Sequence, residues 1–282
     1  MPQVNIEVRP ITPNIGAEIA GADLARLDEA TFEDIHEALL KHLVLFFRDQ
    51  DITPAEQLGF ARRFGEIEPP HPVFDRVPEA PEVSVIEQKG TVGIYNDEWH
   101  TDVTFRARPP LASILHCQIA PEIGGDTLWS SMVAAYDALA EPIKRLIEPL
   151  KAIHDITRGF METWLAKPDG VAEMQRAQRE NPPVVHPVVR THPVTGRRAL
   201  FVNRSFTVAI KGLSRTESDG LLALLLRHAE QPSWQVRFRW RPRSLAIWDN
   251  RATQHYAAAD FAPAHRKMHR VTVIGDRPFH RP

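Results

Sequence analysis

Gln235-Val236-Arg237-Phe238-Arg239-Trp240, followed by Leu245-Ala246-Ile247-Trp248-Asp249-Asn250-Arg251-Ala252-Thr253-Gln254-His255, is the run on which the fold turns. The first hexapeptide alternates polar and apolar residues with period 2, the mark of a strand with one buried face. The stretch Leu245-Ala246-Ile247-Trp248 is apolar throughout, as a strand covered on both faces would be. His255 comes just after that buried strand, and Val271-Thr272-Val273-Ile274 supplies a third strand signal.

Further strand signals lie at 43–47, 111–119, 184–189 and 199–202, with Val83-Ser84-Val85-Ile86 alternating between them. Helical spacing of Phe32, Ile35, Leu39 and Leu40 predicts a helix over 27–42. Thr53-Pro54-Ala55-Glu56 reads as a capping box with proline at the first helical position, and Gly65 closes that helix. Residues 131–150 read as helical, and Ser214-Arg215-Thr216-Glu217 is a second capping box, opening a helix with Leu221, Leu222, Leu224 and Leu225. Residues 69–108, broken by Pro69, Pro70, Pro72, Pro78 and Pro81, read as a lid or binding loop, and 154–198 as a partly helical insertion. Short strands along the whole length, with helices near the start and in insertions, fit a mixed α/β, mainly β, double-sheet barrel. There is no repeat, no run of βαβ units and no glycine-rich phosphate loop, which disfavours a nucleotide fold.

The 282 residues are expected to form a single catalytic domain over 1–282. With 34 Lys+Arg against 36 Asp+Glu, the net charge near −2 offers no basic field for nucleic acid. The lone Cys117 excludes an intramolecular disulfide framework. No run approaches the roughly 18 apolar residues of a membrane span, and the first residues lack the apolar core of a secretory signal, so a cytoplasmic location is expected.

The chemistry centres on Asn96-Asp97-Glu98-Trp99-His100-Thr101-Asp102. On a strand, His100 and Asp102 project from one face. Imidazole and carboxylate together are two ligands of a facial site that needs two His and one carboxylate. Taken alone, His-x-Asp is more often a chance pair, and His255 more often a hydrogen-bonded histidine. Taken together with a nearby arginine, they explain one another. A facial triad leaves three metal positions open, two for a chelating 2-oxo acid and one for O₂. The far carboxylate of such an acid needs a planar donor, arginine rather than lysine. Arg266 and Arg270 fall on one face of an extended strand, and the Thr127 hydroxyl can complete the clamp.

His100-Thr101-Asp102, Gly124-Gly125-Asp126-Thr127-Leu128-Trp129, the run from Trp248 to His255, and Met268-His269-Arg270 resemble the taurine dioxygenase family. The resemblance extends from Ile15-Gly16-Ala17-Glu18 to Gly275-Asp276-Arg277-Pro278-Phe279. It implies a double-stranded β-helix (jelly-roll) core with flanking helices and long insertions. It also implies Fe(II), 2-oxoglutarate as cosubstrate, O₂, ascorbate as a supporting reductant, and a homo-oligomer, dimer or tetramer. His100, Asp102 and His255 would hold the iron, and Thr127 and Arg266 the distal carboxylate of 2-oxoglutarate. Arg270 and His71 would receive a small anionic substrate, with Phe74, Tyr95, Asn96, Phe160 and Phe206 lining its pocket; unaided, Phe160 and Phe206 would be read as core.

The resemblance favours taurine or a close sulfonate, hydroxylated at the carbon bearing sulfur to release sulfite and an aldehyde. Three departures bear on this. Phe74 follows His71-Pro72-Val73 where a tyrosine is usual, Tyr95 precedes Asn96 where an acid can meet the taurine amine, and Arg204-Ser205 replaces an acidic-glycine pair before Phe206. They motivate the alternatives of an alkyl sulfate or an aryloxyalkanoate; a barrel that binds metal or anion without catalysis is the rival of another class.

Overall fold

A computed structural model describes residues 6–69, 74–90 and 97–282. Along the chain come β1 (Glu7–Pro10), β2 (Ala17–Ala20), α1 (Glu29–His42), β3 (Val44–Phe47), α2 (Pro54–Arg62), β4 (Asp75–Val77), β5 (Ala80–Gln88), β6 (Ala112–Ile119) and β7 (Thr127–Ser131). The middle holds α3 (Met132–Asp137), α4 (Glu141–Ile147), β8 (Lys151–His154), α5 (Ile156–Leu165), α6 (Gly170–Glu180), β9 (Val184–Pro187), β10 (Val189–Thr191), β11 (Arg198–Leu200) and β12 (Thr207–Ile210). The chain finishes with α7 (Arg215–Ala229), β13 (Gln235–Phe238), β14 (Leu245–Asp249), β15 (Thr253–Ala257) and β16 (Arg266–Val273).

A large sheet runs β1-β2-β3-β14-β6-β16-β5-β4, and the smaller sheet β13-β7-β15 faces it in a jelly roll. The central strand β14 lies antiparallel between β3 and β6. Its side chains alternate between two cores. Ala246 and Trp248 join Phe46, Leu115, Trp129 and Phe238 inside the barrel. Leu245 and Ile247 join Leu45, Phe47 and Ile114 beneath Ile35 of α1 and Leu58 of α2. The unbroken apolar run therefore has a physical cause: every side chain of β14 up to Trp248 meets one core or the other, each worth about 1.5–3 kcal/mol for the large ones.

Both capping boxes form: Thr53 with Glu56, and Ser214 with Glu217. Three expectations need correction. The proline-broken region beyond residue 69 contains a β4–β5 hairpin, with β5 nine residues long and paired to β16 from Ser84 to Gln88. Pro81 is accommodated because it precedes that paired stretch, where no ladder N–H is required of it. The helix read over 131–150 is two helices, because Pro142 starts α4 afresh. His255 lies within a strand, β15, whose polar residues concealed its pairing with β7.

The turn from β14 to β15 rests on a buried ion pair. Asp249 Oδ1 accepts from Arg251 N and Nε, both at 2.9 Å, and Oδ2 accepts from Arg251 Nη2 at 2.7 Å, with His192 Nε2 3.0 Å away. Burial opposes the Asp249 charge, but Arg251 and then His192 outweigh it and hold the carboxyl far below its usual range. Removing one partner strands the other's charge in the core. Asp249→Ala is expected to lower stability by about 3–5 kcal/mol, read as a shift of the urea midpoint; a change under about 1 kcal/mol would be the size of an exposed pair instead.

Candidate metal and anion site

His100 and His255 form an isolated antiparallel bridge: His100 N–H donates to His255 C=O at 2.9 Å and His255 N–H donates back at 2.7 Å. The Thr101 hydroxyl donates to Thr253 C=O at 2.8 Å, pinning the next residue to β15. Asp102 lies in the turn that follows, so the expected common strand face is corrected: one bridge and one turn bring the pair together. The turn passes through Val103 at φ 39°, a strained conformation for a β-branched residue. Its neighbour Thr104 is locked in place, its hydroxyl 3.0 Å from His154 Nδ1 and accepting from Asn203 Nδ2 at 3.0 Å.

Asp102 Oδ1 lies 4.0 Å from His100 Nε2 and 3.9 Å from His255 Nε2, and all three residues are buried, with donor atoms within 4.8 Å of one another. His100 Nδ1 is 2.8 Å from Glu98 C=O, a contact that places the ring proton there and leaves the Nε2 lone pair free. Burial, then the nearby His100 and Arg270, push His255 down to about 3 against the opposing pull of Asp102, so its ring is neutral at physiological pH. Trp248 packs against that ring with centroids 4.9 Å apart. Burial disfavours ionised Asp102, but Arg270, His255, His100 and the Ser113 hydrogen bond prevail and keep it an anion.

A brace absent from the sequence analysis orients that carboxylate. Ser113 Oγ donates to Asp102 Oδ2 at 2.7 Å, Asn250 Nδ2 donates to Ser113 Oγ at 3.1 Å, and Trp248 Nε1 donates to Asn250 Oδ1 at 3.0 Å. The available signal was Ser113 itself, a polar residue inside an apolar strand.

Beside the triad, Thr127, Trp248, His255, Arg266 and Arg270 line one cavity. Arg266 is buried and, among the described residues, makes no ion pair; its Nε donates to Gly125 C=O at 3.2 Å and its Nη2 lies 3.5 Å from Thr127 Oγ1. Burial pushes the guanidinium down to about 10, still charged at neutral pH. Gly125, at φ 68°, permits the approach: a Cβ there would come within 2.8 Å of Pro121 and 3.3 Å of Arg266 Cδ. The Trp240 indole N–H donates to Thr127 Oγ1 at 2.9 Å, which leaves the threonine proton free for a ligand.

On the other side of Asp102 lies a cavity of about 370 Å³ bounded by Phe74, Val103, Phe160, Phe206 and Arg270. Arg270 Nη1 is 3.4 Å from Asp102 Oδ1, and its guanidinium stands 5.3 Å from the Phe74 ring. Phe160 and Phe206 belong to a small apolar cluster with Phe105 and Ile156, so they are at once core and cavity wall. His71, Tyr95 and Asn96 fall outside the described residues. Asp97, Glu98, Arg158 and Ser205 also line this cavity and were not anticipated; Glu98 accepts from the Ser205 hydroxyl at 2.8 Å.

Residues 7–272 match the family described as taurine catabolism dioxygenase TauD, TfdA family, and the chain belongs to it. It is 40% identical to the alpha-ketoglutarate-dependent sulfate ester dioxygenase of Pseudomonas putida, over 98% of this chain and 91% of that one. It is 37% identical to an alkylsulfatase of Acinetobacter baylyi, over 98% and 87% of the two chains. Among solved structures, a putative alpha-ketoglutarate-dependent taurine dioxygenase from Burkholderia xenovorans superposes with a TM-score of 0.84 at 40% identity, covering 98% of this chain and 92% of that one.

The protein is thus a 2-oxoglutarate-dependent dioxygenase that uses Fe(II) and O₂. The residues present fit both groups: two imidazoles and a braced carboxylate for the metal, and a buried guanidinium without an ion pair among the described residues for the dianionic cosubstrate. No helix among the described residues is long and apolar enough to cross a membrane. His255→Ala is expected to abolish iron-dependent turnover of 2-oxoglutarate and to weaken metal binding measured by calorimetry. Full turnover by the variant would remove His255 from the metal site.

Proposed function

We propose that His100, Asp102 and His255 hold the iron, that Thr127 and Arg266 hold the distal carboxylate of 2-oxoglutarate, and that Arg270 receives the anionic head of an alkyl sulfate ester. Iron bound with the cosubstrate and O₂ supplies an oxidant able to hydroxylate an unactivated carbon while 2-oxoglutarate becomes succinate and CO₂. The chain's own part is positioning. Arg266 offers its guanidinium edge and Thr127 its free hydroxyl proton to the cosubstrate carboxylate. Arg270 anchors the substrate at the metal, so that the carbon beside the ester oxygen faces the reacting position. Hydroxylation there gives a hemiacetal sulfate, which collapses to an aldehyde and hydrogen sulfate.

The observation that carries this assignment is Arg270 beside Asp102 on a cavity that Phe74, Val103, Phe160 and Phe206 also line. An anion with an apolar tail suits that pairing of a guanidinium with apolar side chains, and the names of the Pseudomonas and Acinetobacter relatives lend support. A second assignment, a sulfonate carrying a cationic tail such as taurine, is favoured by Asp97 and Glu98 on the same cavity. The family resemblance alone favours the sulfonate; the apolar side chains beside Arg270 and these relatives are the grounds for placing the sulfate ester first.

Two measurements test the proposal. Arg266→Gln should raise the KM for 2-oxoglutarate about tenfold to a hundredfold, since a charge-assisted hydrogen bond is worth about 1.5–3 kcal/mol; an unchanged KM would dissociate Arg266 from the cosubstrate. Hexyl sulfate, taurine and phenoxyacetate should then be compared by succinate formation, with released sulfate and sulfite assayed separately. Hexyl sulfate is expected to give succinate and sulfate in equal amounts. Sulfite from taurine with no turnover of hexyl sulfate would establish the sulfonate assignment instead, and turnover of phenoxyacetate alone would point to aryloxyalkanoates.

A further inference from the structure

We propose that Arg270 does more than receive the substrate anion and also modulates how tightly the metal is held, through the Asp102 oxygen that faces the two histidines. The inference rests on the roles just proposed for Asp102 and Arg270. The two carboxylate oxygens of Asp102 are not equivalent. Oδ2 is occupied by the Ser113 hydroxyl at 2.7 Å. Oδ1, the oxygen 4.0 Å and 3.9 Å from the histidine Nε2 atoms, is also the one 3.4 Å from Arg270 Nη1. Metal and guanidinium therefore draw on one oxygen.

Arg270 has little else to satisfy its charge. Among the described residues, Asp102 is the carboxylate it pairs with; its Nε is buried without a hydrogen-bond partner, and Phe74 contributes only a ring face. Arg106, the cation nearby, is committed to Glu68. A positive charge compensated only by the ligating carboxylate itself opposes a divalent cation there and lowers the electron density that oxygen can offer. An anion arriving in the 370 Å³ cavity, which Arg270 lines, gives the guanidinium a partner of its own and relieves both effects. Metal and substrate anion then bind with positive cooperativity, and by linkage each tightens the other by the same factor. If Arg270 served only to orient Asp102, losing it would weaken metal binding, so the two roles predict opposite signs.

The test uses Mn(II) as a redox-silent probe, titrated into the full chain with saturating 2-oxoglutarate, free Mn(II) being followed by electron paramagnetic resonance. Without substrate, Arg270→Gln and Arg270→Met are expected to bind Mn(II) about tenfold more tightly than the wild type, within the range usual for coupled sites. Hexyl sulfate should tighten Mn(II) binding by a similar factor in the wild type and have no effect in either variant. Tighter binding in the variants, with hexyl sulfate failing to bind the wild type, would uphold the coupling and sink the sulfate-ester assignment; bound hexyl sulfate that leaves Mn(II) binding unchanged would overturn the coupling. Unchanged or weaker Mn(II) binding in variants with a wild-type circular dichroism spectrum would overturn the coupling. Should neither variant fold, the wild-type titration decides: a hexyl sulfate response upholds the coupling, and bound hexyl sulfate with no response overturns it.

Discussion

The Asp249–Arg251 ion pair is the constraint from which the site is built. It is fully buried and made within three residues, so it fixes the turn from β14 to β15 rather than joining distant elements. A buried charge pair is not an efficient source of stability, since desolvation consumes much of the attraction. What it supplies here is geometry. Arg251 N also donates to Asp249, the Thr253 hydroxyl donates to Asp249 C=O at 2.8 Å, and the backbone therefore leaves β14 along one path.

That path determines where three chemically different groups arrive. Asn250, at the tip of the turn, faces back toward Ser113 and steadies the Asp102 carboxylate. Thr253 and His255, on β15, meet Thr101 and His100 through main-chain contacts, so the segment bearing Asp102 is tied to the strand bearing the second histidine. Trp248, at the end of β14, packs on the His255 ring and bonds Asn250. The central strand, the β14–β15 turn and an edge strand thus position the three donors. The positive φ of Val103 is the strain this arrangement retains, opposed by the bonds around Thr104.

The same particulars explain what was legible in the sequence. The apolar run of β14 announces itself because burial on two faces leaves no polar position. The His100, Asp102 and His255 set is visible because two histidines and a carboxylate, the residue types of a facial metal site, come with two arginines in one order. Strand β15 was hidden: Thr253, Gln254 and His255 are polar yet buried, and periodicity registers polarity rather than hydrogen bonding. The alternation of Val83 to Ile86 marked the centre of strand β5, while its full length and its hairpin with β4 went unread among the prolines. Ser113 and Trp240 act on residues far away in the chain, so no local pattern could assign Ser113 to Asp102 or the Trp240 indole to Thr127. Arg158 and Ser205 meet the outer cavity only through the packing of α5 and the 203–206 segment, which local spacing does not encode.

The two arginines of β16 stand in different settings on one strand. Arg266 is buried with no carboxylate to pair with among the described residues, and its neutral partners, Gly125 C=O and Thr127, orient it without cancelling its charge. A permanent cation in that setting suits a ligand that is always present and always dianionic. Arg270, four residues along, stands against the Asp102 carboxylate and is part-paired from the start. An anion drawing on Arg270 would have to compete with Asp102, so it would bind less tightly than one meeting a free guanidinium. The two guanidiniums differ in how far their charge is compensated because each finds different partners in the fold, although the residue type is the same.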